Sequence, residues 1–310
     1  MSEKTFEYNF FSSGVEVKPF DKSKGFCDLI HFLPTGTSDA ILLESDGHFA
    51  LVDCAEDTDN PRGFEWLNLK GFEDEVISYL KKTAADENGK IHLDFILGTH
   101  AHSDHLGGFD TLIKDESFII DRAYLKRYDE SRINSYEREK WDNLEVYEQT
   151  VEALKSRNIP IIEDITETEF PFGNMAIKLF NTEYDTAHTD IGENDNAIGM
   201  LIEINGKRVF LAADIENETG DEDNIARILG KVDLLKVGHH SYNSASSVGF
   251  LKALDPEYCV VTNDYERADT EILLRIKETC HSPILVTGAE NGVVAVFNKD
   301  KTISFYNEIM

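Results

Sequence analysis

The sequence predicts a mixed α/β fold with helices placed outside its sheets, and three observations carry that expectation. Short apolar runs of strand composition recur from residue 29 to the C-terminus, helical periodicity separates several of them, and the dipeptides Asp46-Gly47 and Asn205-Gly206 mark hairpins. This alternation suggests a four-layer α/β sandwich, without by itself selecting it. No repeat and no Pro/Gly/Ser-rich linker divides the 310 residues, so a single domain over 1–310 is expected, with 1–25 as an N-terminal extension.

Each element has its own signal. Leu29 to Leu33, Ala40 to Glu44 and His48 to Asp53 read as an antiparallel meander. Phe72, Val76, Ile77 and Leu80 fall at helical spacing, and IHLDFILGTH then reads as one buried strand running into a helix start at HLGGFDTLIK. Ser135 to Arg157 predicts an amphipathic helix with Trp141, Leu144, Tyr147, Val151 and Leu154 on its inner stripe. Strands follow at 176–180, 197–204, 207–212, 232–237, 258–262 and 284–287, with a closing pair at 293–297 and 302–306. Helices are expected at 223–229, 248–254 and 270–279.

Composition narrows the function. The 59 acidic residues against 30 Lys and Arg give a net charge of −29, which disfavours long nucleic acid because phosphate binding relies on basic side chains. No run approaches the roughly 20 apolar residues of a membrane span, and the start MSEKTFEYNFFSSG lacks a secretory pattern, so a cytoplasmic, membrane-free protein is expected. Cys27, Cys54, Cys259 and Cys280 show no C-x-x-C spacing and read as reduced. The sequence does not specify an oligomeric state.

One loop concentrates the chemistry. In THAHSDHLGG, His100 and His102 share a face of an extended segment, whereas Asp104 and His105 follow after the chain has turned. Two faces of one loop can address two metals, and imidazole with carboxylate suits zinc, with iron or manganese as substitutes. One loop cannot fill two coordination spheres, so further ligands are expected at strand ends. Asp214 closes KRVFLAAD, where a carboxylate can bridge two cations, and His239 and His240 close DLLKVG.

The string His100-Ala101-His102-Ser103-Asp104-His105, with Asp214 and His239, resembles the H-x-H-x-D-H signature of the metallo-β-lactamase fold hydrolases. That resemblance implies an αββα sandwich with a dinuclear site between its sheets. IHFLPTGTSDAILLE and FALVDCAED are similar to the branch that includes the soluble domain of DNA-uptake competence channels, where an aspartate at the Asp53 position supports the metal loop from behind. SDGHFALVDCAED, LDFILGTHAHSDHLGG, DRAYLKRYDESRI with WDNLEVY, and GKVDLLKVGHH further resemble the catalytic domain of teichoic acid phosphorylcholine esterases. The resemblance spans roughly Ile30 to Ser241.

It implies a dinuclear metal-dependent hydrolase of phosphodiester or phosphorylcholine-type esters, with a small phosphoester as substrate and a metal-bridging hydroxide as nucleophile. His100 and His102 are expected to hold the first metal, Asp104, His105 and His239 the second, and Asp214 to bridge. Asp104 is also expected to orient the nucleophile, and His240 to donate a proton to the leaving group. Where many fold members place a third histidine for the first metal, this chain reads HTDIGENDNAIGML, which leaves His188, Asn194 and Asn196 as the nearby polar residues. Cys54 stands where a Thr-Gly pair is common. Tyr124, Tyr128 and Trp141 are candidates to face a quaternary ammonium group, and Lys126 and Arg127 to steer an anion. Two alternatives stay open: another hydrolase of this fold, such as a nuclease or lactonase, and a non-catalytic metal-binding module.

Overall fold

In the computed structural model, which describes residues 3–67, 69–184 and 188–310, period-two alternation builds two sheets that share a core. Along strand Asp28–Phe32, Ile30 and Phe32 join a cluster with Met175, Ile177, Leu234, Val260 and Leu285 from the other sheet. Leu29 points the opposite way, into a cluster with Val76, Leu80, Phe109, Leu112 and Leu154 from helices. The second sheet repeats the logic. Phe210, Leu235 and Cys259 face Ile225, Leu251, Leu254 and Ile272 of the helices behind it. The result is a helix, sheet, sheet, helix stack, the α/β sandwich the sequence suggests.

The first sheet has nine strands and carries the meander Asp28–Phe32, Ile41–Ser45 and His48–Val52 at its centre. From there it continues in parallel through Phe95–Gly98, Ala123–Leu125 and Ile161–Ile162. The second has seven strands, antiparallel up to Lys207–Leu211 and then parallel through Leu234–Lys236, Tyr258–Val261 and Ile284–Val286. Parallel strands send all their carboxyl ends to one rim, and in open α/β sheets that rim is where ligands bind.

Three sequence expectations need correction. IHLDFILGTH is two strands, not one: Ile91–Leu93 leaves the large sheet to pair with Phe118–Ile120, and Phe95–Gly98 stays. The 135–157 helix is broken at Trp141 and Asp142 into Ser135–Lys140 and Asn143–Ser156, because Trp141 adopts extended backbone and turns toward Phe64. With that break Leu144 is exposed, although Tyr147, Val151 and Leu154 are buried. The sequence also gave no notice of helix Glu3–Ser12, nor of edge strand Val17–Pro19, which pairs with Ile303–Asn307. Among the described residues no helix is long and apolar enough to cross a membrane.

Candidate metal centre

Every predicted ligand stands just beyond the carboxyl end of a parallel strand. The loop His100 to His105 follows Phe95–Gly98, Asp214 follows Lys207–Leu211, and His239 and His240 follow Leu234–Lys236. The turns that aim them are strained: Asp53, Ala213, His239, His240 and Ser241 all have φ between 45° and 69°. Each such non-glycine residue costs about 1–3 kcal/mol and persists only where its surroundings hold it. Here backbone bonds do so, with Asp53 N donating to Leu97 O at 2.9 Å and His239 N to Ala213 O at 3.0 Å. The glycine pair closing THAHSDHLGG has a steric reason. A Cβ on Gly108 would sit 2.4 Å from Cys54 O, so only glycine lets the 53–57 segment lie against the histidine loop. Cys54 is buried there, and burial drives its thiol well above the usual range.

Each of the five imidazoles has one nitrogen tied outward and the other turned toward the centre. His105 Nδ1 pairs with Asp53 Oδ2 at 2.8 Å, His240 Nδ1 with Thr262 O at 3.0 Å, and His102 Nε2 with Glu137 Oε2 at 3.2 Å. His239 Nδ1 pairs with Glu216 Oε1 at 2.7 Å, and His100 Nδ1 with Thr99 Oγ1 at 3.1 Å. Tethering the outer nitrogen sets the tautomer and presents the inner lone pair, which is how metal-binding histidines are held.

The inner atoms fall into two groups. In the first, His105 Nε2 and His240 Nε2 are 3.2 Å apart, Asp104 Oδ2 is 3.3 Å from His240, and the two Asp214 oxygens lie 3.3 Å from His105 and 3.4 Å from His240. Four ligands about 2.0–2.1 Å from a tetrahedral ion are separated by about 3.3 Å, so these four side chains match a zinc-type donor set. In the second group, His100 Nε2 and His102 Nδ1 are 3.0 Å apart. His239 Nε2 stands 3.8 Å from Asp214 Oδ2 and 3.4 Å from Asn194 Nδ2. Asp214 therefore lies between the groups. The buried Asp214 Oδ1 and Asn194 Oδ1 find no hydrogen-bond donor among the described residues, which suits oxygens that face a cation.

His240 thus stands where the sequence expects His239. It joins Asp104, His105 and Asp214, whereas His239 stands beside Asp214 and Asn194. The left-handed run at 239–241 is the reason, because it rotates successive side chains away from strand alternation. His240 Nε2 packs among His105, Asp104 and Asp214, and His240 does not line the cleft where a leaving group would depart. His188 is exposed on its loop, where its carbonyl accepts from Arg132, and it does not join either group. Asn196 binds Glu193, while Asn194 binds Glu216 and borders His239.

Electrostatics follow from burial and pairing. Burial raises the Asp104 carboxyl, but His105 and His240 outweigh it and bring it to about 2. Burial opposes charge on His240, yet Asp214 and Asp39 prevail and push it up to about 9. His100 moves the other way, well below the usual imidazole range, through burial and then the nearby His105 and His102. Behind the first group, Lys236 is fully buried with Nζ 2.5 Å from Asp39 Oδ2 and 3.7 Å from Asp214 Oδ1. Burial lowers its pKa, but Asp39 and Asp214 reverse this and keep it a cation.

Sequence reasoning missed Lys236, Asp39, Glu137, Glu193 and Glu216. Two of them carried a signal. A lysine inside the apolar strand DLLKVG must bury a charge and so demands an acidic partner. In NSYE the Asn134 side chain caps the helix, its Oδ1 accepting from Glu137 N at 3.0 Å while its Nδ2 donates to Glu137 Oε1 at 3.0 Å, which leaves Glu137 Oε2 aimed at His102.

The centre opens to a cleft of about 390 Å³ walled by Phe64, Trp66, Leu67, Trp141 and Tyr242, with Glu56, Asp104 and Asp142 among its polar lining. Trp141 packs edge-on against His102 with centroids 5.0 Å apart. Tyr124 does not reach this cleft: it is buried and stacked on Phe170 between the sheets. Tyr128 packs on Tyr147 beside an adjoining cavity. Lys126 is also internal, its Nζ bonded to the carbonyls of Asn181 and Asn196. Burial, then the adjacent Asp57 and Asp104, push the Glu56 carboxyl up to about 9.

The fold and its His/Asp groups are those of a metal-dependent hydrolase of the metallo-β-lactamase kind. The chain belongs to the beta-lactamase superfamily, whose domain matches residues 78–252. It is 21% identical over 222 residues to ComE operon protein 3 of Bacillus subtilis (strain 168), covering 69% of this chain and 26% of that protein. It is 22% identical over 182 residues to Competence protein ComA of Neisseria gonorrhoeae, covering 58% of this chain and 21% of that one. The chain thus spans about a quarter of the length of these curated relatives. Among solved structures, the metallo-beta-lactamase fold protein YhfI from Bacillus subtilis shares the fold with a TM-score of 0.51 at 14% identity, over 84% of this chain and 96% of that one.

Proposed function

We propose that the chain is a dinuclear metal-dependent phosphodiesterase acting on small substrates, with phosphorylcholine-type esters as the first class to test. The observation that carries this reading is the group Asp104, His105, Asp214 and His240, whose two carboxylates line one cleft together with His102 and His239. Asp104, His105, Asp214 and His240 would hold one divalent ion, and His100, His102 and His239 the other, with Asn194 beside them. Such ions supply Lewis acidity toward a phosphoryl group and activate water at neutral pH.

The chain's own residues do the rest. Asp53, Glu137, Glu216, Thr99 and Thr262 fix the imidazoles, so little reorganisation accompanies the reaction. Trp141, Phe64 and Trp66 form an aromatic wall that excludes water from one side and whose ring faces suit a substrate with a cationic end. A net charge of −29 keeps long polyanions away.

The test is metal-reconstituted protein assayed against bis-p-nitrophenyl phosphate, p-nitrophenyl phosphorylcholine, a nucleotide diester and a lactone. Turnover of the two chromogenic phosphodiesters, lost in His102→Ala and Asp104→Ala while circular dichroism is unchanged, supports the reading. Turnover of the lactone alone, or full phosphodiesterase activity in either variant, overturns it.

A further inference from the structure

A second cluster of ligating side chains lies on the surface away from the cleft. In strand Ile91–Leu93 the two flanking residues are buried and His92 points outward. Asp94, two positions on, is held by its backbone N–H donating to Phe49 O at 2.8 Å. Asp121 ends the partner strand Phe118–Ile120, and its N–H donates to Leu93 O at 3.1 Å. Three backbone-fixed positions therefore bring one nitrogen and two carboxylate oxygens within 4.8 Å of one another. His48, at the start of strand His48–Val52, adds a fourth group, with Nδ1 2.7 Å from Asp94 Oδ2. His92 Nε2 is 2.8 Å from Asp121 Oδ1.

We infer that His92, Asp94 and Asp121, with His48 beside them, form a separate surface site for a divalent transition-metal ion such as zinc. One imidazole and two carboxylates, with His48 paired to Asp94 at their edge, are a nitrogen and oxygen donor set that zinc accepts, and the half-exposed histidines can open from hydrogen-bond to ligand spacing. Calcium and magnesium, which prefer all-oxygen shells, fit it less well. An ion here ties strand His48–Val52 of the nine-stranded sheet to the small sheet of Ile91–Leu93 and Phe118–Ile120, the point where the chain leaves the main sheet. None of these residues touches the cleft, so the site does not rest on the phosphodiesterase reading.

The experiment counts zinc. Chelator-stripped full chain and the double variant His92→Ala/Asp121→Asn are dialysed against zinc buffered at a free micromolar level, and bound zinc per chain is measured by atomic emission. The wild type is expected to retain one ion more than the variant, with the variant's phosphodiesterase activity and circular dichroism unchanged. A parallel His100→Ala/His240→Ala protein, depleted at the cleft, is expected to keep the surface ion and to lose it when His92→Ala is added. Equal zinc in the wild type and the His92/Asp121 variant overturns the inference, whatever the cleft binds.

Discussion

The two halves of the metal centre are built differently. The half formed by Asp104, His105, Asp214 and His240 has four donors at tetrahedral spacing, with His105, Asp214 and His240 buried and the histidines braced by Asp53 and Thr262. The half at His100 and His102 borrows its third imidazole, His239, from the turn that also supplies His240, and it borders the cleft through His102. The first, closed half is the more deeply buried and meets the cleft through Asp104 and Asp214, and the second, open half meets it through His102 and His239. In the proposed dinuclear reading, an ion in the closed half would be held by geometry set in the core, and one in the open half would meet the substrate.

The largest expected effects come from breaking that division. His240→Ala should lose the ion of the closed half and phosphodiester turnover, while His239→Ala should keep that ion and lose the other; metal content with turnover for each variant reads this out. Loss of the same ion in both would erase the distinction between the halves.

Lys236→Met removes the cation buried between Asp39 and Asp214, leaving buried carboxylates uncompensated at a cost of about 3–5 kcal/mol. Urea unfolding of the metal-free protein should show it, and a change under about 1 kcal/mol would mean that Asp39 is neutral in the folded state.

Bracing is the next level. Asp53→Asn and Glu216→Gln each weaken one tether, and each is expected to lower metal affinity about 10–100-fold, in the closed half for Asp53 and in the open half for Glu216. Competition with a chromogenic chelator measures both.

The pH dependence has a definite sign. Asp214 and Asp39 push the buried His240 up to about 9 from its ordinary 6.5 in the metal-free fold, so its stabilising contribution is complete below 6.5 and is lost as pH rises through about 9. Metal binding at pH 7 must displace this proton, so calorimetric zinc binding enthalpies should vary with buffer ionisation enthalpy. The smallest effect is expected at the cleft rim. Trp66→Ala should raise KM about tenfold or less with kcat little changed, because Trp66 is largely exposed and belongs to the wall, not the ligand set.

Much of the layered fold was legible because the short apolar runs within Asp28–Phe32 and Lys207–Leu211, and helical spacing within Glu73–Thr83, are local properties of the chain. The split of IHLDFILGTH was not, since both pieces are apolar and only the pairing of Ile91–Leu93 with Phe118–Ile120 separates them. Tyr124 and Trp141 show the same limit on the binding side. Both are aromatic residues within charged stretches of the chain, yet one is sealed between sheets and the other walls the cleft.

The amino-acid sequence by itself determined the ligand chemistry. Residues two apart in an extended segment share a face, so His100 and His102 had to act together and apart from Asp104 and His105. The tertiary structure alone decided which of His239 and His240 serves each half, and that Asp214 stands between them. Three consecutive left-handed residues at 239–241 suspend the alternation rule, and the partners that hold them there, Thr262, Glu216 and Ala213, come from other strand ends far along the chain.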